Sequence, residues 1–402
     1  MKSSATAIPM KQKKLRRIVI DWLFEPVISL RRLESYLVFW ARAVYKARRP
    51  LIIGITGSVG KSTTTALVAH VLSAPDAQRI VGSIGNTFSN MNDDIGVAAT
   101  LLRYPYVLEL PWAYHRRVAM LVSIPLRAVR VSIGNYPDVM VLECGAGWTG
   151  HLERLVTIAP PTISVVTRIG AAHLEKLKTL EGVVHEKGAL VRAVPPSGLV
   201  VLGQGHDFVP QLEAMARAPV VKVPGQGLEL SQNVARAIAR FLRIPDTATE
   251  VALKDFKQPE GRLNRTELHG MTIIDDTYNA NPLSMQLGLD TLHKTVAGGH
   301  RRVAILGHMS ELGDEAVRYH EEIGVYARRC SDLVIGVGEL SRHYHPDHWF
   351  ETSESCAQAI EPLIESGDCV LVKGSASAKM TRIVDRLREV ALARQEGAAA
   401  PA

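Results

Sequence analysis

The sequence predicts an α/β protein with two sheet-based domains behind a basic helical arm. Short apolar runs, typical of buried strands, alternate with amphipathic stretches that are typical of helices. A glycine-rich motif stands between the first apolar run and the first such stretch. This alternation indicates mostly parallel sheets with helical connections. We therefore expect a central domain with a mostly parallel sheet and a C-terminal Rossmann-like α/β domain.

The strand-like runs fall into two series that define these domains. The first series is 51–55, 139–142, 163–166 and 199–202, and the second is 272–274, 303–306, 333–337 and 370–372. Helical stretches are expected at 231–241, 284–292, 315–328 and 378–393. We place the domains at 51–259 and 260–396, with a boundary near Pro259-Glu260-Gly261-Arg262. The small, simple tail 397–402 is expected to be disordered.

Residues 1–50 form the predicted arm. They carry twelve Lys/Arg and three Asp/Glu, a net charge of +9, whereas the whole chain carries +7. The body is therefore not a nucleic-acid surface by charge, and we expect no nucleic-acid partner. Basic and large apolar residues alternate, and Pro26 divides the arm into two predicted helices. Two alternatives stay open: peripheral contact with an anionic membrane, or packing on the body as an ordinary helical extension.

The remaining bulk features favour a cytoplasmic protein. Four scattered cysteines without a CxxC pair fit a reducing compartment. No uncharged apolar run reaches the length of a spanning helix. The apolar run after the basic residues 11–17 is broken by Asp21 and Glu25, which argues against a signal peptide. Oligomeric state has no signal in the sequence.

An insertion at about 104–131 interrupts the first domain. It is aromatic, apolar and proline-bearing, and it carries Arg116, Arg117, Arg127 and Arg130. We weigh two interpretations, a second membrane-facing element and a lid over the substrate.

The glycine-rich motif runs from Gly54 to Thr64 and predicts a P-loop ATPase domain. An apolar strand precedes it and a helix follows, which is the context of a phosphate-binding loop. Lys61 supplies a positive charge for phosphates, and the Ser62 hydroxyl can bind Mg²⁺. Five residues separate Gly54 from Gly60, one more than in the common motif.

Further motifs follow in an order that resembles the Mur ligases, ATP-dependent amide-forming enzymes of peptidoglycan assembly. The resemblance spans roughly residues 51–390 and is strongest to the type that adds D-alanyl-D-alanine to UDP-N-acetylmuramoyl-tripeptide. The motifs are Thr56-Gly57-x-x-Gly60-Lys61, Asn90-Met91-Asn92-Asp93-Asp94, Glu143-Cys144-Gly145, Ala172-His173-Leu174-Glu175, Glu186-Lys187-Gly188, Gly261-Arg262, Asp275-Asp276-Thr277-Tyr278-Asn279-Ala280-Asn281-Pro282, Leu306-Gly307-His308-Met309 and Val372-Lys373-Gly374-Ser375.

The resemblance implies roles for individual residues. ATP would be bound by Gly57, Ser58, Gly60, Lys61, Ser62, Thr63, Asn233 (adenine), Arg262 (γ-phosphate) and Asp276 (ribose). Two Mg²⁺ ions would be held by Ser62, Glu143, His173 and a carbamylated Lys187. Substrate contacts would come from Asn90, Asn92, Asp93, Asn279, Asn281 and Lys373. The catalytic set would be Lys61, Glu143, His173, Lys187 and Arg262.

Residue chemistry alone leaves some of these roles open. A glutamate that ends a strand, such as Glu143, binds Mg²⁺ or pairs with a nearby lysine. A lone histidine such as His173 is more often structural, and an unmodified Lys187 would repel Mg²⁺ and be expected on the surface. The implied reaction joins a small-molecule carboxylate to an amine through an acyl phosphate, in a site shielded from water.

Departures from the family pattern concern the substrates. Only about 50 residues precede the phosphate strand, where the family has a UDP-binding domain. His308 stands where Asp is usual and Ala376 where Arg is usual, while Asp93 and Ala98 replace a common Asn and Pro. Three hypotheses result: a ligase of a peptidoglycan precursor, a similar ligase with a different, lipid-linked acceptor at the membrane surface, and an inactive nucleotide-binding scaffold for cell-wall enzymes.

Overall fold

A computed structural model describes residues 30–87, 91–104, 114–295 and 300–399 of the chain. Within these residues it contains two six-stranded sheets, each covered by helices. Asn90 and residues 1–29 of the arm lie outside the described residues, as do 105–113 of the insertion and 400–402 of the tail.

The first sheet is parallel throughout and has the order β2-β3-β1-β4-β5-β6. The register places Ile55 of β1 opposite Glu143 of β3, so the two strands end side by side at the start of the glycine-rich loop. The strands are β1 Leu51–Thr56, β2 Ile84–Asn86, β3 Val139–Glu143, β4 Ile163–Val166, β5 Leu199–Gly203 and β6 Val220–Val223.

The second sheet has the order β11-β10-β9-β12-β8-β7, and only β7 runs antiparallel, against β8. Lys373 of β12 lies opposite Asp276 of β8 at the carboxyl edge of the sheet. The strands are β7 Asn264–Leu268, β8 Met271–Asp276, β9 Arg302–Gly307, β10 Leu333–Val337, β11 His348–Phe350 and β12 Cys369–Lys373.

Fifteen α-helices of the described residues surround the sheets. They are α1 Leu30–Arg48, α2 Lys61–Ser73, α3 Pro75–Val81, α4 Asp94–Leu101, α5 Tyr114–Ile133, α6 His151–Ile158, α7 Leu174–Leu177, α8 Leu180–Arg192, α9 Val209–Ala214, α10 Gly227–Phe241, α11 Asp246–Lys254, α12 Pro282–Thr295, α13 Ala316–Cys330, α14 Ser353–Ala359 and α15 Thr381–Ala399.

The predicted fold class is confirmed, and all eight predicted strands are present. The sequence interpretation missed β2, β6, β7 and β11, because the three-residue strands β2 and β11, the largely exposed four-residue strand β6 and the polar edge strand β7 carry little periodicity. Helix α15 continues to Ala399, and the expected disorder of the tail stays a prediction. The expected domain boundary near Pro259 stays a prediction.

The core of the first domain lies on both faces of its sheet. On one face Ile53 and Ile55 pack with α2 and α10, and on the other Ile52 and Leu142 pack with α4, α6 and α8. Helix α1 belongs to this second core layer through Leu33, Leu37, Ala41 and Val44, each at most 6% exposed. The described part of the arm is therefore packed on the body.

Helix α5 lies beside α1 and is apolar on two sides. Its inner side buries Met120, Ile124, Ala128 and Val131 in the same core layer. Its outer side exposes Val122, Leu126, Val129 and Ile133. None of the described residues of α5 lines the cavity between the domains, and the interpretation of the insertion as a lid stays a prediction.

No helix among the described residues has the length and apolar character needed to cross a membrane.

Candidate active site

The glycine-rich loop joins β1 to α2 and holds its shape through contacts with the segment that follows β4. Gly57 has φ 147°, and a Cβ atom there would lie 1.9 Å from Oγ1 of Thr167, so only glycine fits. Gly60, with φ 84°, begins α2. Ser58 Oγ donates to the Gly170 carbonyl at 2.8 Å. The first turn of α2 therefore presents its free N–H groups to the space above the loop, as phosphate binding requires.

The second domain reaches this loop through two side chains. Arg262 Nη2 donates to Ser62 Oγ at 2.6 Å, and its guanidinium lies 3.6 Å from the ring centre of Tyr278. Asn281 Nδ2 donates to the Ser58 carbonyl at 2.9 Å. The two domains thus meet at the phosphate loop itself.

A cavity of about 300 Å³ lies between the domains above this loop. It brings together fourteen of the residues that the sequence predicts for the site. They are Ser58, Gly60, Lys61, Ser62, Thr63, Asn92, Asp93, Glu143, His173, Arg262, Asp276, Asn279, Asn281 and Lys373.

Glu143 is the last residue of β3, the strand that pairs with β1, and it is 5% exposed. Asn92 Nδ2 donates to the Glu143 Oε1 atom at 2.9 Å, and the backbone N–H of Glu143 donates to Thr87 Oγ1 at 2.8 Å. Asp93 caps α4 by accepting the Gly96 N–H at 2.7 Å. Glu143 therefore keeps a second carboxylate oxygen for a ligand, whereas Asp93 already stabilises a helix start.

Lys61 lies over the loop and donates to the Gly57 carbonyl at 2.9 Å. Burial lowers the pKa of its ammonium, the Glu143 carboxylate opposes this shift, and Arg262 adds to it. Two cations thus face one cavity near one carboxylate, which is an environment suited to a polyanionic ligand.

Lys373 and Asp276 form an ion pair on the opposite wall of the cavity. Lys373 Nζ lies 2.7 Å from Asp276 Oδ2 and donates to the Asn279 carbonyl at 2.8 Å. Burial lowers the pKa of Lys373, and the Asp276 carboxylate opposes this effect. The ion pair fixes the Asp276 carboxylate at the cavity edge.

Lys187 is 0% exposed and is not among the residues that line the cavity. Its Nζ has no hydrogen-bond partner within the described residues. Burial lowers its pKa well below the ordinary lysine value, and the nearby Lys61 charge lowers it further. Its neighbour Glu186 instead accepts the N–H groups of Gly150 and Leu152 at the start of α6, at 2.6 and 2.5 Å. The expectation of a surface lysine, drawn from residue chemistry alone, is wrong.

His173 contacts the second domain. Its Nδ1 lies 2.5 Å from Oε2 of Glu311, and both residues have left-handed backbone, with φ 58° and 64°. The Glu175 N–H donates to the Glu311 carbonyl at 3.2 Å. Burial lowers the pKa of His173, and the hydrogen bond to Glu311 opposes this shift. Non-glycine residues in this conformation mark positions that the surrounding structure must hold in place.

Three predicted residues lie away from the cavity surface. Asn233 on α10 donates to the Pro224 carbonyl and accepts from Arg236, so its amide is engaged within the first domain. Gly57 packs against Thr167 below the loop. Lys187 is the third, and Asn90 lies outside the described residues.

The sequence interpretation missed Trp148 and His151, which line the cavity on the side of Asn92. Their rings stack with centres 3.7 Å apart, and the Trp148 side chain is 44% exposed. His151 Nδ1 accepts the Gly147 N–H at 3.0 Å, which fixes the ring. The only sequence signal was their place directly after the strand that carries Glu143.

The donor set near the loop fits one Mg²⁺ ion better than two. Ser62 and Glu143 supply oxygen ligands beside the phosphate-binding N–H groups, and nucleotide oxygens complete such sites. No group of three or more His, Cys, Asp or Glu side chains suited to a metal occurs among the described residues. A second ion needs an oxygen donor at Lys187, where the side chain has an unpartnered nitrogen.

Two α/β domains that close on a phosphate loop, with cations from both domains in one cavity, define a nucleotide-dependent enzyme of the P-loop class. Comparisons with family models agree. The Mur ligase middle domain matches residues 55–110 and 124–263, and the Mur ligase, glutamate ligase domain matches 261–376. The chain belongs to the Mur ligase family, and it is an ATP-dependent ligase.

Individual relatives are similar over most of their length. The UDP-N-acetylmuramoyl-tripeptide–D-alanyl-D-alanine ligase of Mycobacterium tuberculosis is 29% identical, over 84% of this chain and 72% of the relative. The Escherichia coli enzyme of the same name is 25% identical, over 88% and 79%.

Solved structures share the fold. The MurF ligase of Thermotoga maritima in complex with ADP has a TM-score of 0.73 at 20% identity, covering 90% of this chain and 84% of that one. Escherichia coli FolC in complex with DHPP and ADP has a TM-score of 0.61 at 16% identity, covering 89% and 93%.

Proposed function

We propose that this ligase joins the terminal carboxylate of a peptidoglycan precursor to an amine, with UDP-N-acetylmuramoyl-tripeptide as donor and D-alanyl-D-alanine as amine. The names of the curated relatives support these substrates. The observation that carries the proposal is the hydrogen bond from Arg262 to Ser62, because it puts a cation of the second domain on the phosphate loop of the first.

The residues divide the two chemical steps between them. In the first, a carboxylate oxygen of the donor attacks the γ-phosphorus of ATP and the bond to the β-phosphate bridging oxygen breaks, which leaves an acyl phosphate and ADP. Lys61 and Arg262 stabilise the charge on the transferred group. In the second, the amine attacks the acyl carbon, loses a proton and expels phosphate. The closed domains exclude water from the acyl phosphate meanwhile.

Mg²⁺ held by Ser62 and Glu143 would supply electrostatic stabilisation of the phosphate oxygens. Carbamylation of Lys187 would resolve the isolation of its amine. Burial lowers the pKa of Lys187 well below the ordinary lysine value, which favours the neutral amine that attacks carbon dioxide. Formation of the N–C bond releases a proton and would place a carboxylate where the described residues offer the amine no acceptor. The product would supply the oxygen donor that a second ion near His173 requires.

The region expected to receive the amine differs from the family pattern. His308 Nε2 and Ser377 Oγ are 3.0 Å apart, and Ser310 and Ser375 lie within 3.3 Å of the same hydroxyl. Burial lowers the pKa of His308, so this cluster is neutral near pH 7. Because this cluster consists of neutral hydroxyl and imidazole groups where the family usually has charged residues, amines other than D-alanyl-D-alanine should also be tested.

Phosphate release measured with ATP, Mg²⁺, UDP-N-acetylmuramoyl-tripeptide and D-alanyl-D-alanine tests the proposal, with each component omitted in turn. Release that requires all components is the expected result. If phosphate release requires the donor but occurs with another amine, only the assignment of D-alanyl-D-alanine as the amine would change. Absence of release beside clear ATP binding would overturn the donor assignment.

A second candidate keeps this chemistry but takes a lipid-linked carboxylate at the membrane surface. The exposed apolar side of α5 favours it, since such a face suits an interface with lipid. Replacing the soluble donor by its lipid-linked counterpart in the same assay separates the two candidates.

A further inference from the structure

The outer side of α5 is an apolar strip that the described chain leaves in solvent. Val122, Leu126, Val129 and Ile133 are 61%, 66%, 54% and 82% exposed. Their spacing of four, three and four residues places them within about 60° of one another around the helix and spreads them over about 16 Å. We call these four residues the α5 strip.

This strip is unusual because the inner side of the same helix is already buried. Met120, Ile124 and Val131 pack in the core of the first domain and hold α5 on the body. The α5 strip therefore contributes nothing to that core. A helix that is apolar on both sides is expected to have a second apolar neighbour.

Exposed basic residues occur on the helix that carries the strip and on its neighbour α1. Helix α5 has no acidic residue in its sequence, and of its two arginines with described side chains, Arg130 is exposed beside the strip whereas Arg127 donates to the Leu102 and Arg103 carbonyls. The neighbouring α1 contains five Lys/Arg and a single acidic residue, Glu34, which pairs with Arg154. On α1, Arg32, Phe39 and Lys46 are exposed at seven-residue spacing, so they share one side of that helix. Exposed apolar side chains with basic residues and almost no acidic ones are the composition of an interfacial helix.

We propose that the α5 strip, together with the exposed Arg130 of α5 and Arg32 and Lys46 of α1, docks this protein on the surface of a membrane that contains anionic lipid. The apolar side chains would enter the boundary between headgroups and acyl chains, and the arginines and lysines would contact lipid phosphates. The docking is peripheral. It does not depend on the substrates proposed above.

A second copy of the chain fits this surface less well. In a twofold dimer the same face meets itself, so Arg130 of α5 and the basic side of α1 would oppose their own copies. Like charges across an interface cost binding energy, whereas an anionic bilayer supplies the complementary charge over any area.

Sedimentation of the full chain with vesicles tests the proposal. One vesicle set contains phosphatidylglycerol and phosphatidylcholine, and the other contains phosphatidylcholine alone. We expect binding to the anionic set that weakens with added salt. Val122→Glu and, separately, Leu126→Glu should each weaken this binding at least about tenfold, since each adds a negative charge to a buried apolar contact.

The matched control is Val251→Glu on α11, where the valine is 64% exposed against 61% for Val122. It should bind vesicles as the unsubstituted protein does. Thermal unfolding and ATP binding in solution should be equal for all three variants, and Leu126→Ser, which adds no charge, serves where a glutamate variant unfolds.

Three results would overturn the proposal. The first is equal vesicle binding by Val122→Glu and Val251→Glu. The second is loss of binding only when Lys11, Lys13 and Lys14 are replaced by glutamate, which would assign it to the N-terminal residues. The third is a dimer in sedimentation velocity without lipid that Leu126→Glu converts to a monomer, which would make the strip a contact between copies.

Discussion

Lys373 and Lys187 are both almost completely buried, at 1% and 0% exposure, but their surroundings are opposite. Lys373 meets the Asp276 carboxylate and the Asn279 carbonyl. Lys187 has no acceptor in the described residues and lies near the positive charge of Lys61. Partners stabilise a buried ammonium in its charged form, whereas burial without a partner favours the neutral form of an amine, which is the nucleophilic one.

Replacement of Lys187 by alanine should have the largest effect. We expect turnover to fall by about two to three orders of magnitude, because a carboxylate formed at this position would be lost. Acetate or another short carboxylate should restore part of it in a phosphate-release assay. Lys373→Ala is the matched control, since its loss should not respond to acetate. Full activity of Lys187→Ala would remove this residue from the site.

The free energy of unfolding should respond more strongly to replacement of Lys373 than to replacement of Lys187. Lys373→Met leaves Asp276 as an unpaired, poorly exposed carboxylate, so the free energy of unfolding should fall by about 3 kcal/mol. Lys187→Met removes an unpartnered amine and should change stability by no more than about 1 kcal/mol in either direction. Urea denaturation of both variants measures this.

The double variant Asp276→Asn with Lys373→Met should recover part of the loss, because no unpaired charge remains. Equal destabilisation by the two methionine variants would show that pairing is not what distinguishes the lysines.

Carbon dioxide should affect activity by a smaller factor. In degassed buffer we expect turnover to fall about severalfold, and added bicarbonate should restore it, since carbamate formation requires dissolved carbon dioxide and a neutral amine. The loss should deepen as pH falls, because protonation of Lys187 removes the nucleophile. Turnover that is identical with and without bicarbonate across the pH range would speak against carbamylation.

The smallest effect concerns a pair of buried groups beside the cavity, Asp94 and His151. Asp94 is paired with Arg154 at 2.7 Å, yet burial raises its pKa to about 6. Burial lowers the pKa of His151 to about 4. The contribution of Asp94 to stability is complete below its ordinary pKa and is lost as pH rises through about 6. The contribution of His151 is complete above its ordinary pKa and is lost as pH falls through about 4.

These two contributions oppose each other between about pH 4 and pH 6.5, so single variants should reveal each slope. Asp94→Asn should make stability rise with pH by about 1 to 2 kcal/mol more than in the unsubstituted protein, and His151→Gln should make it fall by a similar amount. Guanidinium denaturation at several pH values checks this. Parallel stability curves for all three proteins would contradict it.

The sequence carried most of the fold but only part of the site. Apolar runs such as 333–337 are recognisable because buried parallel strands need a continuous apolar sequence. The phosphate loop is equally clear, since Gly57 and Gly60 serve local backbone requirements. Only the family resemblance predicts Arg262 at the γ-phosphate, and it predicts Asn281 as a substrate contact and not as a neighbour of the loop, because both positions depend on how two domains pack.

Other contacts gave little sequence signal, apart from the place of Trp148 and His151 directly after the strand that carries Glu143. The stack of Trp148 on His151 and the contact of His173 with Glu311 each join residues whose proximity is set by tertiary structure. For Lys187 the residue type gives a signal, but that signal points to the wrong environment. Lysines are rarely buried without a partner, so composition argues against what the structure shows.

The hydrogen bonds from Arg262 and Asn281 to the phosphate loop have a thermodynamic consequence. They are made only when the two domains are together, and the loop they engage is the element that would hold the nucleotide. Domain closure and nucleotide affinity are therefore linked equilibria, and each must shift the other by the same factor. A substitution that loosens the interface, even one remote from ATP, should weaken nucleotide binding in proportion to the closed population it removes.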